Sequence, residues 1–492
     1  MAHCSEDTSA ENPTGINVLI VGGGLAGLSA ALECHRKGHS VRLLDRSSQS
    51  SAQGDMVTIG PSARTLLKHY PEMQRECDMA TPHGLWMRHC LWTGEVISEP
   101  HSVEGAAAPG SASLKSETTR LLPQAHQRPK FHAMLCRQLQ RFGIPIESDL
   151  RVVEYYEDAE RGIGGVVTEG GERFEADIVI AADGTNSSSE AIIADPAPIP
   201  QPTNRTVFRA AFPLAVAAAD PLVNETFGLW EGRHPFLQIW MGPGTYTVFQ
   251  SYVDKYGHDG RFCFAMVLPD PDGKTRRGSW NEPVSKEETL RVIDCLPGWS
   301  EALKALIRIT PPDTIFAWPL SPRSPKWCWH SPGMRVLQLG DAAHPMTPTA
   351  GNGATQAIED AITVAACLAH AGKDQVTTAV RVHNLLRAER VSCCQLMAFI
   401  NDERLDKFDF GSSSSNKSSK MTWKSNKWLT SFDPEEYADA NYAKAAASLC
   451  PGGPEFRNTN YPPGHKVKPW TVEEMNDLRE RGCDLDLTGD WS

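Results

Sequence analysis

The chain has no apolar run approaching the ~18 residues that a membrane-crossing helix needs, no basic stripe, no CxxC pair or other metal-like cysteine spacing, and no internal repeat. Each absence removes a class of function. No membrane span is expected, and a formal net charge of −12 argues against nucleic acid, whose phosphates would repel it. The thirteen cysteines are odd in number, and the adjacent Cys393 and Cys394 fall in a helical pattern, so they read as reduced, buried thiols. The opening MAHCSEDTSAENPTG is polar and acidic, unlike a secretory or an organellar leader. A cytoplasmic, reducing compartment is therefore expected.

What is present is a chain of 492 residues, longer than the roughly 250–300 at which one hydrophobic core usually divides. At least two domains are expected. INVLIV (16–21) is a short apolar run ending at glycines, LAGLSAALECHRKG keeps apolar residues at helical spacing, and HSVRLLD returns to a strand pattern, which together make one βαβ unit. RPKFHAMLCRQLQRF (128–142) reads as an amphipathic helix closed by Gly143, and strand-like segments follow, the last ending in AADG. Between about 188 and 324 the pattern changes to aromatic-rich strands separated by Pro and Gly turns, as in RTVFRAAFPL, FLQIWMG, TYTVFQSYV and RFCFAMVL. The βα style resumes with MRVLQLGDAAHP and a helix from about Thr355 to Ala371. GSSSSNKSSK (411–420) is too polar to pack, and DPEEYADANYAKAAASL reads as a helix starting at an aspartate cap. The division is 16–187 and 325–405 for a nucleotide-binding domain in two parts, 188–324 for an antiparallel-sheet substrate domain, and 406–492 for a helical C-terminal extension. The fold class is α/β.

Gly22, Gly24 and Gly27 make GxGxxG directly after a strand and at the opening of a helix, with Asp45 ending the next strand. The first glycine permits a tight turn, the second admits a pyrophosphate to the helix N-terminus, and the third lets helix and strand pack closely. Asp45 would accept hydrogen bonds from ribose hydroxyls. The motif alone leaves NAD and FAD unseparated.

Two distant segments separate them. ADIVIAADGTNSSS (176–189) and VLQLGDAAHPMTPTAGNGATQAIEDA (336–361) resemble the DG and GD motifs of the class A FAD-dependent monooxygenases, the family of para-hydroxybenzoate and salicylate hydroxylases. The resemblance implies a Rossmann-type FAD-binding domain assembled from discontinuous segments, with the sheet domain inserted. It gives Asp341 a ribityl hydroxyl, and gives Gly353 and Ala354, with Gly351 and Asn352, the flavin pyrimidine edge. It gives Arg128 a cofactor contact at a helix start, and places Gly54 and Met56 in a GAGI-like segment beside the flavin. Asp183 is expected both to shape its turn and to stand as an anion near the flavin and its pyrophosphate. The sequence departs from the family at Asp45, where glutamate is commoner, at Asp55 and Met56, where residues are usually small, and at Asn352, often glutamine.

No second GxGxxG follows a strand, so the resemblance implies NADPH or NADH as a transient co-substrate, with O2, forming a C4a-hydroperoxyflavin that oxygenates an aromatic small molecule. Ring hydroxylation of a phenol is the first expectation and epoxidation of an indole or alkene the second. A flavoprotein oxidase, cyclase or non-oxygenating flavin-binding protein is the alternative of another class. Arg209 matches a position where related fungal hydroxylases hold a substrate phenolate, and Tyr246 is its expected partner. Either could instead point away from a pocket. His344 lies beside the isoalloxazine by resemblance, or else stabilises its loop. His83, His89 and His234 read as surface residues, and Trp230, Phe236, Trp240 and Phe249 as core. Oligomeric state is not legible.

Overall fold

A computed structural model describes residues 12–47, 54–103, 124–193, 198–254, 256–273, 282–406, 427–483, 485 and 487–491. The Ser-rich stretch 411–420 lies outside them. Asn17–Val21, the first apolar run, pairs in parallel with Ser40–Leu44 on one side and Ile178–Ala181 on the other. Val336–Gln338 and Ile146–Glu147 complete a five-stranded parallel sheet. Such strands are buried on both faces, which is why they read as continuous Val, Leu and Ile runs. The expected helices are there as Leu25–Arg36, Arg128–Arg141 and Gly353–Ala371. They pack on this sheet in the largest apolar core.

The aromatic-rich strands form an antiparallel sheet, as their alternation predicts. It has seven strands, in the order Phe316–Pro319, Arg205–Pro213, Arg261–Pro269, Thr245–Tyr252, Phe236–Gly242, Trp86–Leu91 and His101–Ser102. The last two come from within 16–187, so the sheet takes strands from the first nucleotide-binding segment as well as from 188–324. Trp86–Leu91 joins in parallel to Phe236–Gly242, a long-range pairing that no local turn signals.

Register sorts the two faces of this sheet. Arg209 lies opposite Ala265, Ala265 opposite Val248, Val248 opposite Ile239, and Ile239 opposite His89, a single row across five strands. Tyr246, two residues before Val248, shares that face. The other face carries Phe208, Phe264, Phe249 and Trp240, buried against the helices Lys286–Ile293 and Glu301–Ile309. Trp240, Phe249 and Phe236 are core, as expected, and Trp230 packs partly buried on Phe236 with ring centroids 5.2 Å apart. His89 is not a surface residue, because its place in the row buries it.

Val376–Asp406 is a single helix of 31 residues that crosses behind Gly353–Ala371. The extension supplies the helix Pro434–Ser448, capped by Asp433 as its sequence predicts, and Val472–Glu480, capped by Thr471 and Glu474 in a reciprocal box. Arg36 donates to Glu435 at 2.8 Å, and Arg390 donates to the carbonyls of Asn460 and Leu429 at 2.7 and 3.2 Å, which fastens the extension to the nucleotide-binding domain. No described helix is long and apolar enough to cross a membrane, and the described cysteines are free thiols.

His383 is fully buried on the long helix with neither ring nitrogen hydrogen-bonded. Burial pulls its pKa down to about 3. Below about pH 6.5 the unfolded chain binds a proton there that the folded chain refuses, so stability falls with pH by up to about 1.4 kcal/mol per unit through the window from 6.5 to 3. The melting temperature of the cofactor-free protein is expected to fall between pH 7 and pH 5. His383→Asn should make that fall shallower, and an unchanged slope would place the acid sensitivity elsewhere.

Candidate active site

The glycine loop is built by steric necessity. Gly22 has φ +108°, and a Cβ there would stand 2.4 Å from the Ala182 carbonyl oxygen; one on Gly27 would stand 1.9 Å from the Gly22 oxygen. Gly24 differs, because a Cβ there meets nothing within 4 Å, and the same holds at Gly184 and Gly351. A positive φ favours glycine at Gly184 and Gly351, but neither packing nor φ requires it at Gly24, so the space beside that backbone is available to a ligand.

Three helices begin at this space, and none is capped by a side chain: Gly24 precedes Leu25–Arg36, Gln127 precedes Arg128–Arg141, and Asn352 precedes Gly353–Ala371. Their first turns carry no acidic residue. Ser285, Ser300, Asp433 and Thr471 cap their helices in the ordinary way, while Pro71–Ala80 is uncapped but carries Glu72 in its first turn. The N–H groups and positive ends left at Gly24 and Asn352 suit a pyrophosphate and an electron-rich ring edge. The donor set and the open cradle therefore fit FAD.

The charged residues expected from sequence converge here. Asp45 accepts hydrogen bonds from the N–H groups of Gly23 and, at 2.6 Å, Ser47, so its carboxylate braces the glycine loop from within. Asp183 accepts from the Tyr155 hydroxyl at 2.8 Å, and burial lifts its pKa against the hydrogen bonds it receives. Its turn packs on Gly22. Tyr155 was not singled out by sequence, where it reads only as one aromatic in a strand. Asp341 is open to solvent at its own surface yet surrounded by protein at longer range, and this burial raises its pKa. That combination describes a carboxylate at the floor of a cleft.

Arg128 donates its backbone N–H to the Asp55 carbonyl at 2.9 Å, and its side chain packs on Gly54. Burial lowers its pKa, with the charges of Arg209, Asp55 and Asp341 acting on it as well. Arg209 reaches across from the sheet and donates Nε to Asp55 Oδ2 at 2.8 Å, a second bond from Nη2 to Oδ1, and a longer one to the Met56 carbonyl at 3.4 Å. Burial would lower the Arg209 pKa, but the Asp55 carboxylate more than offsets it. Asp55, which in sequence is a departure from a small-residue pattern, is thus the fixed partner of Arg209.

Tyr246 stands two strands (~4.8 Å each) and two residues (~3.4 Å each) from Arg209 on the same face, so their Cα atoms are about 12 Å apart. It packs among Leu91, Ile239 and Met241, and burial pushes its phenol up to about 12. Arg209 and Tyr246 are not in contact; they flank the strip made by Ala265 and Val248. His344 has 1% of its surface exposed and meets Asp360 through Nε2 at 2.6 Å, so it belongs to the frame behind the loop. A cavity of about 380 Å³ among Leu396, Trp470, Met475 and Leu478 is lined by none of these residues.

The FAD binding domain family matches residues 15–234 and 282–380. The chain is 38% identical over 485 residues to "FAD-dependent monooxygenase fsr3" of Gibberella fujikuroi, covering 97% of this chain and 90% of that protein. It belongs to the FAD-dependent monooxygenases. "FAD-dependent monooxygenase AacuC" of Aspergillus aculeatus is 39% identical, with 97% and 93% covered. Among solved structures, "Crystal structure of CtdE in complex with FAD and substrate 4" superposes on this monooxygenase with a TM-score of 0.75 at 26% identity, covering 88% of this chain and 99% of that one. The native FqzB structure gives 0.77 at 28%, with 92% and 98% covered. "Salicylate hydroxylase substrate complex" shares the fold at 22% identity and a TM-score of 0.63. Membership in the monooxygenases and FAD as cofactor are thereby shown.

Gly24→Ala tests the cradle of this monooxygenase directly. With nothing within 4 Å of the new methyl, the protein should fold as before. If a pyrophosphate lies in the open space beside Gly24, the affinity for FAD should fall by about 1.4 kcal/mol, roughly tenfold, because the methyl would enter it. Flavin fluorescence titration with a melting curve of the cofactor-free variant checks both halves.

Proposed function

We propose that this protein uses NADPH or NADH and O2 to insert one oxygen atom into a phenolic aromatic small molecule. The observation that carries this reading is the placement of Arg209: a guanidinium held by two bonds to Asp55, on the open face of the substrate sheet and beside the segment that flanks the flavin. FAD, when bound, supplies the electron transfer from nicotinamide to oxygen.

The chain's own residues do the rest. Asp341 would hold the ribityl chain, Asp45 the ribose, and Arg128 with the strand Met56–Ile59 the flank of the ring system. Gly353 and Ala354 present backbone N–H groups that stabilise negative charge at the pyrimidine edge. Arg209 binds the phenolic oxygen and favours its ionised, electron-rich form. Tyr246, with its phenol held protonated, donates to a second oxygen on the substrate. Ala265, Val248 and Ile239 give the apolar strip on which the ring lies and from which water is excluded.

The test is turnover with labelled dioxygen across a panel of phenols and indoles, measuring nicotinamide consumption and product mass together. Substrate-stimulated consumption with one labelled oxygen in a phenolic product supports the proposal. Labelled epoxide from an indole or alkene, with phenols untouched, would shift it to epoxidation. Hydrogen peroxide released in step with nicotinamide consumption, with no labelled product from any substrate, would overturn it in favour of an oxidase.

A further inference from the structure

Residues 340–349 are fixed from behind by three buried side chains, one near the end of the 336–361 segment and two beyond it. Asp360 Oδ2 accepts the Gly340 N–H at 3.0 Å and meets His344 Nε2 at 2.6 Å. Gln395 Nε2 donates to the Pro345 carbonyl at 3.3 Å, and Asn401 Nδ2 donates to the Thr349 carbonyl at 2.9 Å. Asp360 is 0%, Gln395 5% and Asn401 8% exposed. Asp360 comes from the helix that starts at Gly353, and the other two come from the long helix behind it.

These contacts span the loop from its first residue to its last turn, and each takes up a backbone group that would otherwise be free to turn toward the cleft. Gly340, at φ +58°, is also wedged between Ala26 and Ala357, whose Cβ atoms would each lie 3.1 Å from a Cβ added there. Met346 packs against the apolar cluster of Cys394, Leu396 and Met397 on the long helix. Arg387 Nε donates to the other Asp360 oxygen at 2.8 Å, which keeps that carboxylate charged; burial would raise its pKa, but His344 and Arg387 hold it well below the usual range. A loop held this way has lost its alternative shapes before any ligand arrives, and binding is then spared the entropy of ordering it.

We propose that Asp360, Gln395 and Asn401 are positioning residues that hold the 340–349 loop in its flavin-receiving shape in the absence of the cofactor. This rests on the assignment of that loop to the flavin, and it does not depend on which substrate is oxygenated. Asp360 is an unsuitable probe by itself, because Asp360→Asn leaves Glu359 as the one carboxylate shared by the buried Arg387 and Arg390 and threatens folding. Gln395→Leu and Asn401→Leu each remove the amide that donates to the loop and leave the charged network intact.

The experiment titrates FAD into the cofactor-free parent and the two variants, and measures the reduction potential of the bound flavin and the melting temperature of each cofactor-free protein. FAD affinity reduced roughly three- to tenfold in each variant, with a displaced potential and a parent-like melting temperature, supports the proposal. Parent-like affinity and potential overturn it, as does a fall in melting temperature that accompanies the affinity loss, since the side chains would then brace the fold in general. If Asp341→Ala keeps its full FAD content, the assignment of the loop fails. If Asp341→Ala loses flavin while both leucine variants bind as the parent does, the positioning role alone fails.

Discussion

Asp341→Ala is expected to yield a folded protein that purifies with little or no flavin. The carboxylate lies at the cleft floor, its own surface accessible, so its removal leaves no buried charge unpaired and costs the fold little. On its proposed role it removes a charged acceptor from a ribityl hydroxyl that FAD binding would withdraw from water. Hydrogen bonds to charged groups are worth about 1.5–3 kcal/mol, or roughly 10- to 150-fold in affinity. Absorbance of the purified variant and an FAD titration measure this. Full flavin content would contradict the role given to Asp341.

Substitution at Arg209 should show a different pattern. From sequence alone Arg209→Ala reads as a change confined to substrate binding, with flavin content unaffected. The structure changes that expectation, because Arg209 is the partner of a carboxylate only 7% exposed and also reaches the Met56 carbonyl. Removing one member of a buried pair costs about 3–5 kcal/mol, so Arg209→Ala alone should lower the melting temperature and loosen the strand that flanks the flavin. The double change Asp55→Asn, Arg209→Met removes both charges and should restore stability and flavin content. In the double variant, stimulation of nicotinamide oxidation by a phenolic substrate should be lost. If stimulation persists there, the pair serves the architecture and the phenolate is held elsewhere.

The contrast between these residues shows what a sequence makes legible. Gly22, Gly24, Gly27 and Asp45 are readable because their constraints are local: a turn, a close approach and a strand end, all within thirty residues. Asp341 and Asp183 are readable through family likeness, and the structure brings both to the same space as the glycine loop. The parallel strands and the aromatic strands follow from apolar runs and alternation. What escaped is non-local. Trp86–Leu91 carries no turn that points to its partner 150 residues later, and its Arg and His make it look exposed. Asp55 reads as a departure until Arg209 is seen across the cleft. Tyr155, Asp360, Gln395 and Asn401 hold backbone or side-chain groups from behind, and no spacing rule announces such roles. His344 has two readings in the sequence, and its burial against Asp360 supports the one that places it behind the loop.

The way the parallel sheet is completed bears on the order in which the protein can be made. Its central strand, Asn17–Val21, leaves the ribosome early and has Ser40–Leu44 to pair with at once. Ile178–Ala181 follows much later, and Val336–Gln338, which leads directly into Asp341, later still. Between them the other five strands of the antiparallel sheet must be synthesised, including Phe236–Gly242, the partner for which Trp86–Leu91 is already waiting. Pairings of such sequence separation form slowly and leave strand edges uncovered meanwhile. On the proposed assignment, a nascent chain carries Gly22 to Asp45 through much of translation without Asp341, Gly353 and Ala354, and FAD can be captured in full only after these have emerged.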